Sequence, residues 1–217
     1  MELTPILISL VKTWWFLIPI VVLVAIVKTP WFKGLIGEAM VNLGLKIFLS
    51  KDKYYLIRNV ILPTEDGTMQ IDHIIVSRYG VFVIETKNMK GWIFGDPNQK
   101  TWTQKIYRNT NTFQNPLHQN YKHVKTLESV VGIDGRKIYS VVVFIGHSTF
   151  KTEMPDNVTY AGGLIRYIKS KTETLFSDAE VETIIDKIAS GRVTPSFTAS
   201  REHVRHLKKY RKDKAGW

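Results

Sequence analysis

An α/β domain with a mixed sheet between helices, preceded by an N-terminal transmembrane helix, is the architecture that the 217-residue sequence predicts. Three observations predict it. Residues 5–27, PILISLVKTWWFLIPIVVLVAIV, carry one charge, Lys12. Residues 70–88, QIDHIIVSRYGVFVIETKN, read as a β-hairpin that is nearly all Ile, Val and Phe around Asp72, Glu85 and Lys87. Beyond it, YSVVVFI at 139–145 is an apolar run suited to a strand buried on both faces, with helical patterns on either side.

Taken in order, the first segment spans roughly 34 Å as a helix, against the ~30 Å core of a bilayer. Lys12 can snorkel near its start, and Trp14, Trp15 and Trp31 suit interfacial depth. Lys28 and Lys33 follow directly, so the positive-inside bias places the rest of the chain in the cytoplasm of a single-pass cell-membrane protein. The expected division is an anchor at 1–32, a domain at 33–195 with its core at 34–146, and a basic tail at 196–217. That tail holds much of the net charge of +11: residues 201–214 carry seven Lys/Arg against two Asp/Glu. A basic balance favours a polyanionic partner, nucleic acid or an anionic lipid surface.

Residues 34–51 follow as an amphipathic helix with Ile36, Met40, Leu43 and Ile47 at helical spacing. Tyr54 to Leu62 is β-rich and ends at Pro63 and the turn-like Glu65-Asp66-Gly67; the hairpin comes next. After Gly91, short strands surround a Gly-Asp-Pro turn. Asn115-Pro116 caps a helix that runs through Leu117, Tyr121, Val124, Leu127 and Val131 to Gly132. Ser177-x-x-Glu180 is a capping box in front of a last helix ending near Gly191.

The hairpin charges pose the functional question. Alternation puts Asp72, Ile74 and Val76 on one face, and Val81, Val83, Glu85 and Lys87 on one face of the next strand. A two-residue turn at Arg78-Tyr79 sets Asp72 opposite Glu85; a turn at Tyr79-Gly80 sets it opposite Lys87 instead. Two carboxylates about 5 Å apart repel unless a cation lies between them, and an oxygen cluster with room for water and phosphate is what Mg²⁺ prefers. Lys87 would then face a phosphoryl oxygen or an attacking water. The plainer alternative is an ordinary Asp72–Lys87 ion pair beside a solvated Glu85.

An Asp, an apolar strand and turn, then E-x-K resembles the PD-(D/E)xK nuclease superfamily. More closely, GEAMVNLGL, QIDHIIVSRYGVFVIETKNMKGWIFG, Trp102 and FQNPLHQNYKHVKTL resemble the nuclease-related domain (NERD) family over roughly residues 34–146. The resemblance implies a restriction-endonuclease-like fold: a helix, a three-stranded meander, a helix and a further strand. It implies that Asp72 and Glu85 ligate a divalent metal, Mg²⁺ or Mn²⁺, and that Lys87 assists the nucleophilic water. Glu38 would match the acidic residue that completes the metal site, and Gln119 a polar residue facing it. Ile71 stands where the superfamily pattern has Pro.

Other chemistries fit less well. With no cysteine, thiol catalysis and Cys-held zinc are excluded. His118 and His123 are spaced i, i+5, poor for one metal, and His73 is expected to pack on the opposite face. Gly95-Asp-Pro-Asn-Gln-Lys-Thr lacks the second glycine of a phosphate loop, and Ile145-Gly-His-Ser-Thr lacks the last glycine of a serine-hydrolase elbow. Trp92 and Trp102 are candidates for stacking on bases, with core packing as the competing role. The expectation is a membrane-anchored, metal-dependent nuclease acting on DNA ahead of RNA. Its rivals are a non-catalytic nucleic-acid-binding or signalling module tethered to the membrane, and a scaffold held on lipid by the basic tail.

Overall fold

The computed structural model describes residues 14, 15, 17–64 and 67–192. The expected anchor's residues 5–13, the Glu65-Asp66 turn and the 196–217 tail lie outside the described residues. The chain order is α1 (Leu17–Lys28), α2 (Pro30–Phe48), β1 (Tyr54–Thr64), β2 (Gly67–Ser77), β3 (Gly80–Asn88), β4 (Gly91–Phe94), β5 (Thr101–Ile106), β6 (Asn109–Gln114), α3 (Pro116–Val131), β7 (Ile138–Ile145), β8 (Ser148–Phe150), β9 (Val158–Tyr160), α4 (Ala161–Ser170) and α5 (Asp178–Ser190).

This is a mixed α/β fold with two mixed sheets flanked by helices, where the sequence led us to expect one sheet. The larger runs β1-β2-β3-β7-β9 and the smaller β6-β5-β4-β8. Their link explains the difference. β3 and β7 pair in parallel up to Asn88 and Ile145, and the same two chain segments pair again in parallel as β4 and β8. Both turn sharply between the sheets, at Gly91 (φ 81°) and Gly146 (φ 90°), in the left-handed region that glycine tolerates. The Met89 N–H donates to the Ile145 carbonyl at 3.0 Å across the bend, so the corner stays hydrogen-bonded.

The larger sheet is covered on both faces, which is why its strands are apolar on both. One face packs Ile74, Val76, Val81 and Val83 against Val124 and Leu127 of α3 and Ile184 and Ile188 of α5. The other packs Ile75, Phe82, Ile84 and Val143 against Val41 and Leu45 of α2 and Leu164 and Ile168 of α4. Ile71, Ile74, Ile75 and Ile84 are fully buried, each side chain worth roughly 1.5–3 kcal/mol of transfer from water. The smaller sheet has its own cluster: Ile93 and Trp102 lie against Val142 and Phe144, with Trp102 stacked on Phe144.

Several expectations hold. Asn115 Oδ1 accepts from Leu117 N at 2.9 Å to start α3, and Gly132 (φ 68°) closes it. Ser177 and Glu180 form the full capping box. Others are corrected. Residues Ile36, Met40, Leu43 and Ile47 of α2 are exposed, whereas Gly37, Val41 and Leu45 face the sheet. The helix has two apolar sides, and the slimmer one fits the close approach. Tyr121 of α3 is exposed as well. Pro63 does not end its strand: the β1–β2 ladder continues through Pro63↔Thr68 to Thr64↔Gly67, because β1 is an edge strand whose outer side needs no N–H. α4 had no expected counterpart, and its N-cap Tyr160 makes no side-chain cap hydrogen bond.

At the N-terminus, no single helix among the described residues is long and apolar enough to cross a membrane. Leu17–Lys28 and Phe32–Phe48, bent by 65°, pass that test only together, by length and composition.

Candidate active site

Register decides which charges meet. β2 and β3 pair as Ser77↔Gly80 through His73↔Ile84, the turn falling at Arg78-Tyr79, and the next step along this register sets Asp72 across from Glu85. Asp72 lies at a fork. The β2–β3 ladder stops at His73, while on the β1 side the pairing skips from Arg58↔His73 to Val60↔Ile71 over Asn59, whose φ of 49° is left-handed. The Asp72 carboxylate fills the gap by accepting from the Thr86 N–H of β3 at 3.2 Å.

Glu85 is 4% exposed, and both its oxygens are held. Lys87 Nζ donates to Oε1 at 2.7 Å, and His123 Nε2 lies 3.2 Å from Oε2. Since the ionised carboxylate can only accept, Nε2 is the protonated ring nitrogen. Lys87 Nζ donates also to Gln119 Oε1 at 2.8 Å, so two of its three donors are engaged. Gln119 and His123 are one turn apart on α3 and face the same strand. Asn120, fully buried between them, fixes that aim: its Nδ2 donates to Val83 O (2.9 Å), Ser140 Oγ (2.9 Å) and Val141 O (3.2 Å), pinning α3 over the β3–β7 seam.

The electrostatics follow from crowding. Burial pushes the Asp72 carboxyl up to about 7, and the neighbouring charge of Glu85 adds to it. Burial raises Glu85 as well, but the hydrogen bond from His123 and the charge and hydrogen bond of Lys87 outweigh it and hold Glu85 below its usual range. Glu38 on α2 is raised by partial burial and then by Glu85, so it feels the same cluster. Gly37 brings it there: α2 approaches so closely that a Cβ at 37 would lie 2.6 Å from Ile145 Cδ1 and 2.9 Å from Asn88 Cβ. Asn88 Nδ2 also ties the start of α2 to the end of β3 through the Lys33 carbonyl.

The structure thus joins Glu85, Lys87 and Gln119 by hydrogen bonds, sets Asp72 across the register from Glu85 with its carboxylate held by the Thr86 N–H, and keeps Glu38 beside them by charge. Among the described residues, no three His, Cys, Asp or Glu side chains are grouped so as to hold a metal ion. Carboxylate oxygen, the donor type that Mg²⁺ and Mn²⁺ take, is present on Asp72 and Glu85, with Lys87 and His123 already on the two oxygens of Glu85. Mg²⁺ is commonly held by one or two carboxylates plus water and phosphate oxygens, and a cation would relieve the Glu85 repulsion that adds to burial in raising Asp72.

His123 is the residue that sequence reasoning missed, because pairing it with His118 drew attention to the wrong partner. Its i, i+4 spacing from Gln119 was the signal. His73 packs away from the cluster as expected; burial, then the charge of Arg58, lowers it to about 4. Trp102 is core, whereas Trp92 is 47% exposed with the ammonium groups of Lys105 and Lys151 over its ring at 6.0 and 4.6 Å.

Comparison with known proteins reaches the same region. The family model described as "Nuclease-related domain" matches residues 33–145. An uncharacterized protein of Bacillus anthracis is 36% identical over 183 residues, covering 82% of this chain and 85% of its own length. No solved structure matches.

Proposed function

Because the chain belongs to the nuclease-related domain family, we propose that it is a membrane-anchored, divalent-metal-dependent nuclease that hydrolyses DNA phosphodiester bonds. The observation that carries the reading is the Lys87 ammonium, bonded to both Glu85 and Gln119, with the Asp72 carboxyl raised by the charge of the same Glu85 in addition to its burial. Mg²⁺ or Mn²⁺, when bound, would supply the charge that polarises a phosphate and lowers the pKa of a water. Asp72 and Glu85 would hold it, with Glu38 at the margin of the site. Lys87 presents positive charge to the phosphoryl oxygens as they gain negative charge in the transition state, and Gln119 fixes its direction. His123 keeps Glu85 ionised and in one rotamer.

Anchoring is supported by α1: it has no buried residue, and its apolar side chains, Ile18 to Val27, are exposed all round. A helix of that kind belongs in lipid. Lys28 and Lys33 after it favour a cytoplasmic site.

The test is cleavage of plasmid DNA by the full chain with Mg²⁺ or Mn²⁺, beside Asp72→Ala, Glu85→Ala and Lys87→Ala. Cutting that needs the metal and all three side chains supports the enzyme. A second reading, a nucleic-acid-binding or signalling module on the same fold, is favoured by one observation: Lys87 and His123 already occupy both oxygens of Glu85. It predicts DNA binding without cutting, unchanged by the three substitutions.

A further inference from the structure

One surface of α2 has no partner among the described residues. Ile36, Met40, Leu43 and Ile47 are 41%, 57%, 60% and 62% exposed. On a helix that turns about 100° per residue, these side chains form one stripe, with Lys33 on one flank and Lys46 on the other. A continuous apolar stripe between two cations, left open on a helix whose opposite side is packed, is the pattern of a helix lying in a membrane interface.

Two further observations name lipid as the occupant. Thr29 alone separates α1 from α2, and its hydroxyl caps α2 by accepting from Phe32 N at 3.2 Å. The start of α2 therefore lies at whatever depth α1 emerges. The 65° bend between the two helices then turns α2 away from the α1 axis. A tilt of about 25° in α1, ordinary for spanning helices, is enough to lay α2 flat along the surface.

Resting on the anchored reading above, we propose that the Ile36–Met40–Leu43–Ile47 face of α2 is seated in the lipid surface, its flanking lysines at headgroup level. Glu38 lies on the opposite side of the same helix, two residues from both Ile36 and Met40. α2 thus acts as a spacer that holds the Asp72–Glu85–Lys87 cluster about 10 Å from lipid, the diameter of a helix. The substrate of this site is nucleic acid lying against the membrane.

The chain has no cysteine, so single Cys labels report position directly. The full chain is reconstituted in vesicles of phosphatidylcholine and phosphatidylglycerol. A fluorophore is placed at Ile36→Cys, Met40→Cys, Leu43→Cys or Ile47→Cys, with a water-facing control at Tyr107→Cys, which is 94% exposed. Brominated acyl chains should quench the four α2 labels at least about threefold more than the control, and Leu43→Glu should abolish quenching at Met40→Cys while the chain stays in the vesicles. Vesicle-bound chain whose α2 labels are quenched no more than Tyr107→Cys overturns the proposal and leaves the anchor standing. Short label-to-label distances between copies, without lipid quenching, overturn it in favour of a second copy. A chain that does not float with vesicles overturns both the anchor and the proposal.

Discussion

Lys87 and Gln119 lie 32 residues apart on β3 and α3 and meet at 2.8 Å, the ammonium of one donating to the side-chain oxygen of the other. The contact turns a strand lysine that could swing into solvent into one aimed along the Glu85 edge.

Removing Gln119 tests that aim. Gln119→Ala should lower cleavage about 10- to 100-fold, mostly in kcat, as loss of a supporting hydrogen bond around a site typically does. His123→Ala should cost a similar factor and, by removing what holds the Glu85 carboxyl low, shift the acid limb of the pH–rate profile upward. Unchanged rates and profiles would show that neither residue positions the site.

Asp72 makes the protein pH-sensitive. Its carboxyl sits near 7 when folded against 3.8 as a reference, so between those values the folded chain holds a proton that the unfolded chain releases. Stability from this group is complete below about 4 and is lost as pH rises through 7, by on the order of 2–4 kcal/mol. Asp72→Asn should melt above the wild type at pH 8, with the gap closing toward pH 4. A gap that does not depend on pH would contradict the buried, repelled carboxylate.

Divalent metal should act on the same charge. Mn²⁺ at ~100 times its dissociation constant should stabilise the wild type by about 2.7 kcal/mol and Asp72→Asn far less. Calorimetry that finds no Mg²⁺ or Mn²⁺ uptake, even with an oligonucleotide present, would remove the metal from the mechanism.

The close approach at Gly37 separates packing from helix propensity. Gly37→Ala drives a methyl into Ile145 and Asn88 and should destabilise by about 1–3 kcal/mol while moving Glu38 off the cluster. Gly44→Ala, with nothing within 4 Å of the added carbon, should instead stabilise α2 by roughly 0.5–1 kcal/mol. Thermal melts of the two variants falling together would mean that the approach is loose.

Trp92 is the exposed aromatic of the smaller sheet. Trp92→Ala should weaken single-stranded DNA binding by about 1–3 kcal/mol if a base stacks there, read by fluorescence titration at fixed salt. Trp92→Phe should recover most of it.

What the sequence determined by itself is what short-range rules govern. Alternation put Asp72 with Ile74 and Val76 on one face of β2 and Glu85 with Lys87 on one face of β3, and the Asn115 and Ser177 caps located α3 and α5, because strand period and helix capping depend only on nearby residues. What it left open took the packed molecule to decide. Both faces of the hairpin are apolar, so alternation could not fix how the two strands align; the Arg78-Tyr79 turn and the helices packed on each side hold the register that sets Asp72 across from Glu85. α2 likewise carries two apolar sides, and only contact with Ile145 and Asn88 selects the slim Gly37 side, leaving Ile36 and Met40 outside. His123 joined the site for the same reason. Its partner is on another element, and contacts between elements are set by the summed packing of the core rather than by any spacing along the chain.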